Sequence, residues 1–266
     1  MIRLQEVVSF LREFAPPELA EDWDNVGLLI GDPVDEIRSI LTCLTLTPNV
    51  ADEAIARGVQ LIVTHHPVLF RPVQRLTAET SEGRMLLSLI RVGISVYSPH
   101  TSYDSAADGI NAQLARLLEL QDTQPLRPNA AIASDFSPIG SGRFGTLPHT
   151  TSLRDLIERI KLGLGVSTVQ FVGDLDRPIK KLGIACGAAA EFLRDAAQHG
   201  CEALLTGEAR FHSCLEAEAA NIALILPGHF ATERPAMEQL ANVLHSRFAE
   251  LIVQASQTEY DPVKFA

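Results

Sequence analysis

Hydrophobic and polar positions follow two periods along the chain, and segments of the two kinds alternate. Short apolar runs such as "IRSILTCLTL", "VQLIVTHHP" and "ISVYSPHT" are typical of buried strands, whereas "TPNVADEAIARG", "SEGRMLLSLIRVG" and "AADGINAQLARLLEL" have the apolar spacing of amphipathic helices. Thr47 as N-cap, Pro48 at the first helical position and Gly58 at the end bound one of these helices. The alternation of strand and helix predicts an α/β fold with a mostly parallel sheet covered on both faces.

A stretch of different composition interrupts this alternation. Residues 122–145 are rich in Pro, Gly, Ser and Asp, and strand-like and helix-like segments resume after them. We therefore predict two α/β lobes. Residues 1–125 together with 226–266 would form the first lobe, and residues 126–225 the second.

The net charge, the N-terminal segment and the cysteine spacing argue against several classes of protein. The 266 residues carry a formal net charge of −11, and the only adjacent pair of basic residues that stands out is Lys180-Lys181, which argues against binding nucleic acid through its phosphates. Charged residues interrupt the N-terminal segment "MIRLQEVVSFLREF", unlike a signal peptide, and apolar runs are too short to span a membrane. Four scattered cysteines without a CxxC spacing favour reduced thiols and a cytoplasmic location.

Two adjacent histidines, His65 and His66, stand where the apolar run "LIVTHHP" ends. Neighbouring side chains of a strand point to opposite faces, so both imidazoles can reach one site only if the chain leaves strand geometry there. Pro67 marks such a departure. For this pair taken alone, strand-end histidines bonded to backbone carbonyls are the favoured interpretation.

In two further segments, a histidine is followed by a carboxylate four residues later. His100 and Asp104 follow the predicted strand "ISVYS", and His229 and Glu233 follow "ALILP". In a helix, such a pair would share one face. Each carboxylate also has an alternative explanation, because Asp104 could cap the helix of residues 106–120 and Glu233 could favour a helix N-terminus.

The three segments that contain these histidines together favour a metal site. The carboxyl ends of parallel strands meet at one edge of a sheet, where ligands bind. Histidine and carboxylate ligands suit first-row divalent ions such as Zn²⁺, Mn²⁺, Fe²⁺ or Co²⁺. Two ions about 3.5–4 Å apart would need a bridging carboxylate, for which Glu233 is suited.

Several motifs in order resemble one protein family. From near residue 20 to the C-terminus, "WDNVGLLIGD", "VTHHPVLF", "SPHTSYDSAADGINAQLA", "GSGRFGTL", "LLTGEARFH" and "PGHFATE" resemble the Nif-three-like family, whose members include GTP cyclohydrolase I type 2 homologues. The length matches the short form, which lacks an inserted middle domain. The resemblance implies two α/β lobes facing a cleft that holds a dinuclear metal site, and a toroidal homohexamer.

The resemblance also implies a ligand set on the first lobe, with Glu233 bridging two ions: His65, His66, Asp104, His229 and Glu233. His100 belongs to the same motif and would be either a further ligand or a group that transfers protons. One departure concerns the second lobe, where many relatives have two adjacent histidines and this chain has Phe211-His212-Ser213.

Metal-assisted hydrolysis by a bound water is the chemistry that such a site predicts, with His100 moving protons. Asp24, Asn25, Glu208 and His212 are candidate substrate-binding residues, although a turn before Gly27 and a solvated helix start explain them equally well. The resemblance implies a purine nucleotide ring as substrate. Two alternatives stay open: a metal-binding regulatory or scaffold protein without turnover, and a metal-dependent phosphoesterase.

Overall fold

The computed structural model describes residues 2–129 and 139–264, which fold into two compact units. The first comprises Met1–Tyr103 and Ala236–Ala266, and the second Asp104–Pro235. The lobe boundaries at 125 and 226 stay a prediction. The unit that begins at Asp104 includes the helix Ile110–Leu117 and the strand Gln121–Gln124, because both contact the strand Arg143–Ser152. Part of the predicted passage at 122–145 lies outside the described residues.

The helices and strands are as follows. The helices within the described residues are α1 (Leu4–Phe14), α2 (Pro48–Arg57), α3 (Ser81–Arg91), α4 (His100–Ser105), α5 (Ile110–Leu117), α6 (Leu153–Leu164), α7 (Leu193–Gln198), α8 (Phe211–Ala219), α9 (His229–Glu233) and α10 (Pro235–Arg247). The strands are β1 (Ile2–Arg3), β2 (Gly27–Ile30), β3 (Glu36–Ile37), β4 (Ser39–Thr45), β5 (Leu61–His66), β6 (Ser95–Ser98), β7 (Gln121–Gln124), β8 (Arg127–Pro128), β9 (Gly140–Ser141), β10 (Arg143–Ser152), β11 (Gln170–Val172), β12 (Pro178–Ile184), β13 (Ala203–Leu205), β14 (Ala223–Leu226) and β15 (Ile252–Ala255).

The first unit contains a five-stranded sheet in the order β15-β4-β5-β6-β2. Its first four strands are parallel, and β2 joins antiparallel at the edge, so the prediction of a mostly parallel sheet is confirmed for this unit. On one face, Leu41 and Cys43 of β4 pack in a core with residues of α2 and α3. Thr42 lies between them and donates a hydrogen bond to the carbonyl of Met237, so α10 covers the opposite face.

The predicted helix around Thr47 forms as its sequence indicates. The Thr47 side chain accepts a hydrogen bond from the amide of Val50, and Gly58 ends the helix with a left-handed φ of 64°. Local capping residues thus position α2 directly after β4 and before β5, the strand that ends in the two histidines.

The second unit contains a six-stranded mixed sheet in the order β11-β14-β13-β12-β10-β7. Only β12, β13 and β14 are parallel to one another, and the remaining neighbours pair antiparallel. The prediction of a mostly parallel sheet is therefore wrong for this unit. The reason is that β10 pairs antiparallel with both β7 and β12, although α6 lies between β10 and β12 in the chain, so a helix between two strands does not make them parallel here.

Arg143 stabilises the second unit from within. Its side chain is buried, and its guanidinium donates hydrogen bonds to four backbone carbonyls, those of Gly140, Gly142, Ser105 and Ala106. This arginine of the "GSGRFG" motif therefore satisfies backbone groups at the start of β10.

Two sequence predictions concern membrane-spanning segments and the state of the cysteines. Within the described residues, no helix combines the length and apolar character needed to cross a membrane. The cysteines are thiols: Cys43, Cys186 and Cys201 are buried and Cys214 is partly exposed.

Candidate metal-binding residues

Three histidines of the first unit converge; we call His65, His66 and His100 the histidine group. Each offers one ring nitrogen, and these nitrogens all lie within 4.8 Å of one another. The ring centroid of His65 lies 5.1 Å from that of His66 and 5.2 Å from that of His100. His65 is fully buried, whereas the other two are partly exposed.

The two adjacent histidines lie at the carboxyl end of β5. The pairing of β5 with β6 ends at Val63, whereas its pairing with β4 continues to Thr45 opposite His66. The hydroxyl of Thr64 donates to the carbonyl of His66 in its own strand. Both histidines therefore lie beyond the ladder with β6 but within β5 and its ladder with β4, and their ring centroids are 5.1 Å apart.

His100 begins α4 in a backbone conformation that residues other than glycine rarely adopt, with φ at 29°. Asp24 holds it there. One carboxylate oxygen of Asp24 lies 2.7 Å from His100 Nδ1, and the other accepts from the amide and the hydroxyl of Thr101. Burial raises the pKa of Asp24, but the hydrogen bonds from His100 and Thr101 outweigh it and hold that pKa below 3.8.

His66 is oriented in a similar way. Its Nδ1 shares a hydrogen bond of 2.7 Å with the hydroxyl of Thr45, the residue opposite it on β4. Metal-binding histidines typically engage one ring nitrogen with an oxygen partner, which fixes the ring and directs the other nitrogen to the metal. In both His66 and His100, Nδ1 is engaged in this way, so Nε2 is the nitrogen that would coordinate an ion.

In the second unit, two carboxylates and one histidine converge; we call Asp104, His229 and Glu233 the carboxylate group. An oxygen of Asp104 lies within 4.8 Å of one of Glu233. His229 Nε2 lies 3.0 Å from Glu233 Oε2, and His229 Nδ1 lies 3.0 Å from Glu208 Oε1. His229 and Glu233 share the short helix α9, one turn apart.

The carboxylates of Glu233 and Glu208 favour the protonated form of His229. Burial lowers the pKa of His229, but the hydrogen bonds and charges of Glu233 and Glu208 outweigh it and raise the pKa to about 9. A cation is thus strongly favoured between these carboxylates.

Gly187 leaves the space that Glu233 needs. A Cβ atom at this position would lie 2.2 Å from Glu233 Oε1 and 3.4 Å from His229 Nε2. The backbone of Gly187 also has a φ of +67°, which favours glycine. Its amide donates to the hydroxyl of Thr232 in α9. The sequence "GIACGAA" around Gly187 does not by itself indicate this role.

Cys186, the preceding residue, holds Asp104. Its Sγ lies 3.2 Å from Asp104 Oδ1 as a donor, and its amide donates to Asn111 Oδ1 at 2.8 Å. The side-chain amide of Asn111 in turn donates to the carbonyl of Asp104. Burial raises the pKa of the Cys186 thiol, and the charges of Asp104 and Glu233 raise it further, so the thiol is a proton donor to this carboxylate.

The family model of Duf34/NIF3 (NGG1p interacting factor 3) matches residues 2–262. The chain belongs to the Duf34/NIF3 family. This confirms the resemblance that the sequence motifs indicated.

Members of the Duf34/NIF3 family match the chain over nearly its whole length. A GTP cyclohydrolase 1 type 2 homolog of Clostridium acetobutylicum is 32% identical, with 99% of each chain covered. A NIF3 homolog of Schizosaccharomyces pombe is 34% identical, over 98% of this chain and 96% of that protein. The crystal structure of a Bacillus cereus protein related to NIF3 superposes with a TM-score of 0.91 at 22% identity, covering 100% of this chain and 99% of that one, which shows a shared fold.

The residues of both groups fit the divalent ions that the Duf34/NIF3 resemblance implies. Imidazole nitrogens and carboxylate oxygens are the ligands that first-row divalent metals prefer. Asp104 and Glu233 approach each other closely, and like charges at that separation favour a bound cation. Gly187 keeps the space in front of Glu233 open. These histidine, aspartate and glutamate side chains could therefore hold metal ions.

The four residues predicted to bind substrate have varied surroundings. Asp24 holds His100, and Glu208 holds His229. The side-chain amide of Asn25 donates to the carbonyl of Leu69. His212 is exposed on α8 with its ring 6.0 Å from that of Phe211. Substrate contact by these residues stays a prediction.

Proposed function

We propose that this protein is a dinuclear divalent-metal-dependent hydrolase. Its ligands would be His65, His66, Asp104, His229 and Glu233, with Glu233 bridging two ions of Zn, Mn, Fe or Co. The observation that carries the proposal is the set of oxygen partners on the histidines. His66 and His229 of this ligand set each engage Nδ1 with a hydroxyl or carboxylate, as metal-binding histidines do.

Bound metal would lower the pKa of a coordinated water towards 7 and polarise the substrate oxygen or nitrogen. Side chains of the protein would orient the metal ligands and transfer the proton. Glu208 would keep His229 oriented, and Thr45 would keep His66 oriented. His100, held at Nδ1 by Asp24, would take up and release the proton at Nε2. One water would thereby be added across one C–N bond.

The substrate that the proposal favours is a purine nucleotide ring. The support is the name shared by several similar proteins, GTP cyclohydrolase 1 type 2 homolog. We extend to this chain, as part of the same proposal, the toroidal homohexamer and the cytoplasmic location that the sequence predicts. Two other functions use the same ligands: a metal-binding scaffold or regulator without turnover, and a metal-dependent phosphoesterase.

Turnover of GTP by the metal-loaded protein tests this function. We expect slow consumption of GTP that a chelator abolishes and that Glu233→Gln eliminates, followed by chromatography of the nucleotide. Cleavage of bis(p-nitrophenyl) phosphate instead of GTP would favour the phosphoesterase. A full complement of metal with neither activity would favour the scaffold.

His100→Ala separates the two roles considered for that residue. If His100 transfers protons, the variant keeps its metal and loses turnover by about 10²-fold or more. Loss of metal from the variant would instead make His100 a ligand.

A further inference from the structure

Two exposed aromatic side chains adjoin the histidine group; we call Trp23 and Phe70 the aromatic platform. Trp23 is 60% exposed and Phe70 is 46% exposed. Their ring centroids lie 5.8 Å apart in an edge-to-face arrangement. Large aromatic side chains normally bury most of their surface, so two of them exposed together call for an explanation.

The aromatic platform is continuous with His100. The ring of Trp23 lies 6.0 Å from the ring of His100, and the ring of Phe70 lies 6.3 Å from it. Both aromatic residues also lie close in the chain to residues of the site, because Trp23 precedes Asp24 and Phe70 follows His66 by four positions. A molecule resting on these rings would therefore meet the histidine group at its edge.

The aromatic platform is held in place although it is exposed. The side-chain amide of Asn25 donates to the carbonyl of Leu69 at 2.6 Å, which joins the turn carrying Trp23 to the loop carrying Phe70. The amide of Glu21 donates to the hydroxyl of Thr101, and Asp24 accepts from the amide of the same threonine. Rings fixed before binding lose little entropy when a ligand arrives.

We infer that the aromatic platform binds a planar heteroaromatic ring, such as a nucleobase, by stacking beside the histidine group. The inference rests on the proposed function and assigns the residues that would hold the ring of its substrate. Stacking on aromatic side chains is the common way of holding a base without reading its sequence, because every base has a flat face. A ring seated here would present its edge nitrogens or carbonyl oxygens towards His100, the member of the histidine group beside both rings. A non-aromatic phosphoester would gain nothing from these two rings.

Trp23 is the only tryptophan of the chain, so its fluorescence reports directly on the platform. The experiment titrates GMP into the full-length protein, with and without added Zn²⁺, and excites at the red edge of tryptophan absorption. Ribose 5-phosphate is the control that carries the sugar and phosphate without the base. We expect GMP to quench the fluorescence saturably and ribose 5-phosphate to leave it unchanged.

Variants then assign the quenching to the platform. Phe70→Ala keeps the reporter, and we expect it to weaken GMP binding on the order of tenfold. Phe171→Ala removes a similarly exposed phenylalanine, 41% exposed and located in β11, and should bind GMP as wild type does. Trp23→Leu, measured by calorimetry, should also bind more weakly. Metal content measured on each variant should equal that of wild type.

Three results would overturn the inference: no quenching by GMP, equal quenching by ribose 5-phosphate, or equal GMP affinities in wild type and Phe70→Ala. A change in Trp23 fluorescence that follows protein concentration without GMP would assign the platform to contact between copies of the chain instead. Failure of the platform is distinguishable from failure of the proposed function. Bound metal without GMP quenching rejects the platform alone, whereas quenching without any metal uptake keeps the platform and rejects the hydrolase.

Discussion

The histidine group and the carboxylate group position their candidate metal ligands in different ways. In the first unit, two candidate ligands come from the end of one strand, and oxygen partners fix the rings of His66 and His100. In the second unit, the candidate ligands lie on the short helices α4 and α9, and the loop of Cys186 and Gly187 holds their carboxylates. Nitrogen ligands need orientation, whereas closely spaced carboxylates need space and a cation.

The largest effect should come from filling the space beside Glu233. Gly187→Ala would place a Cβ where it lies 2.2 Å from Glu233 Oε1, so the carboxylate must move. We expect metal affinity to fall by about 100-fold, at the upper end of what supporting contacts contribute. Calorimetric titration of the metal-free protein with Zn²⁺ measures this.

Gly200→Ala is the matched control, because Gly200 also has a positive φ, +71°, but open space around it. It should cost stability through backbone strain and leave metal affinity unchanged. Equal losses of affinity in the two variants would show that strain, rather than the collision with Glu233, causes the effect.

A smaller effect is expected in the histidine group. Thr45→Val removes the hydroxyl that holds His66 Nδ1 while keeping the shape of the side chain. We expect about tenfold weaker Zn²⁺ binding, since outer partners of metal-binding histidines contribute about 10- to 100-fold. Thr45→Ser keeps the hydroxyl and should restore most of the affinity. A wild-type affinity in Thr45→Val would reject the orienting role.

The thiol of Cys186 should contribute less still. Cys186→Ala removes one hydrogen bond to Asp104 and should weaken Zn²⁺ binding about fivefold, equivalent to about 1 kcal/mol. Cys186→Ser keeps a donor and should bind more tightly than the alanine variant. If alanine and serine variants bind equally well, the thiol does not position Asp104.

Glu53 of the first unit should affect stability and not metal. Burial raises its pKa, but hydrogen bonds from Ser256, Gln257 and Thr258 and the charge of Arg57 outweigh it, so the folded pKa lies below 4.5. The ionised form is therefore favoured by folding, and its contribution is present above about pH 4.5 and lost as the pH falls through the folded value.

Glu53→Gln should consequently cost about 2 kcal/mol of unfolding free energy at pH 7, as expected for a hydrogen-bonded charge. The difference from wild type should shrink as the pH falls below about 4.5. Urea unfolding at several pH values measures both. A difference that stays constant with pH would mean that the charge of Glu53 is not responsible.

The contrast between the two units shows what could be predicted from the sequence. The apolar run ending in His65-His66 and the capped helix at Thr47 are local patterns, and the parallel sheet they predict is present in the first unit. The mixed sheet of the second unit was not predictable in the same way. The antiparallel pairing of β10 with β12 depends on contacts between distant segments, and apolar periodicity does not report strand direction.

The supporting residues were harder still to find. Thr45 could have been found, because it ends the strand beside β5 and polar residues at neighbouring strand ends share an edge. Cys186 and Gly187 carry no comparable signal. Their roles depend on Asp104 and Glu233, 82 residues before the cysteine and 46 residues after the glycine, and only the fold brings them together.

The most direct test of the central claim is the metal content of the untagged protein, measured by elemental analysis beside a His65→Ala/Glu233→Ala double variant. These two substitutions remove one ligand from each group. We predict about two equivalents of a transition metal per chain in the wild-type protein, as a two-metal site requires, and their loss in the variant. A wild-type protein that holds no metal, and takes up none when Zn²⁺, Mn²⁺ or Fe²⁺ is supplied, would contradict the account.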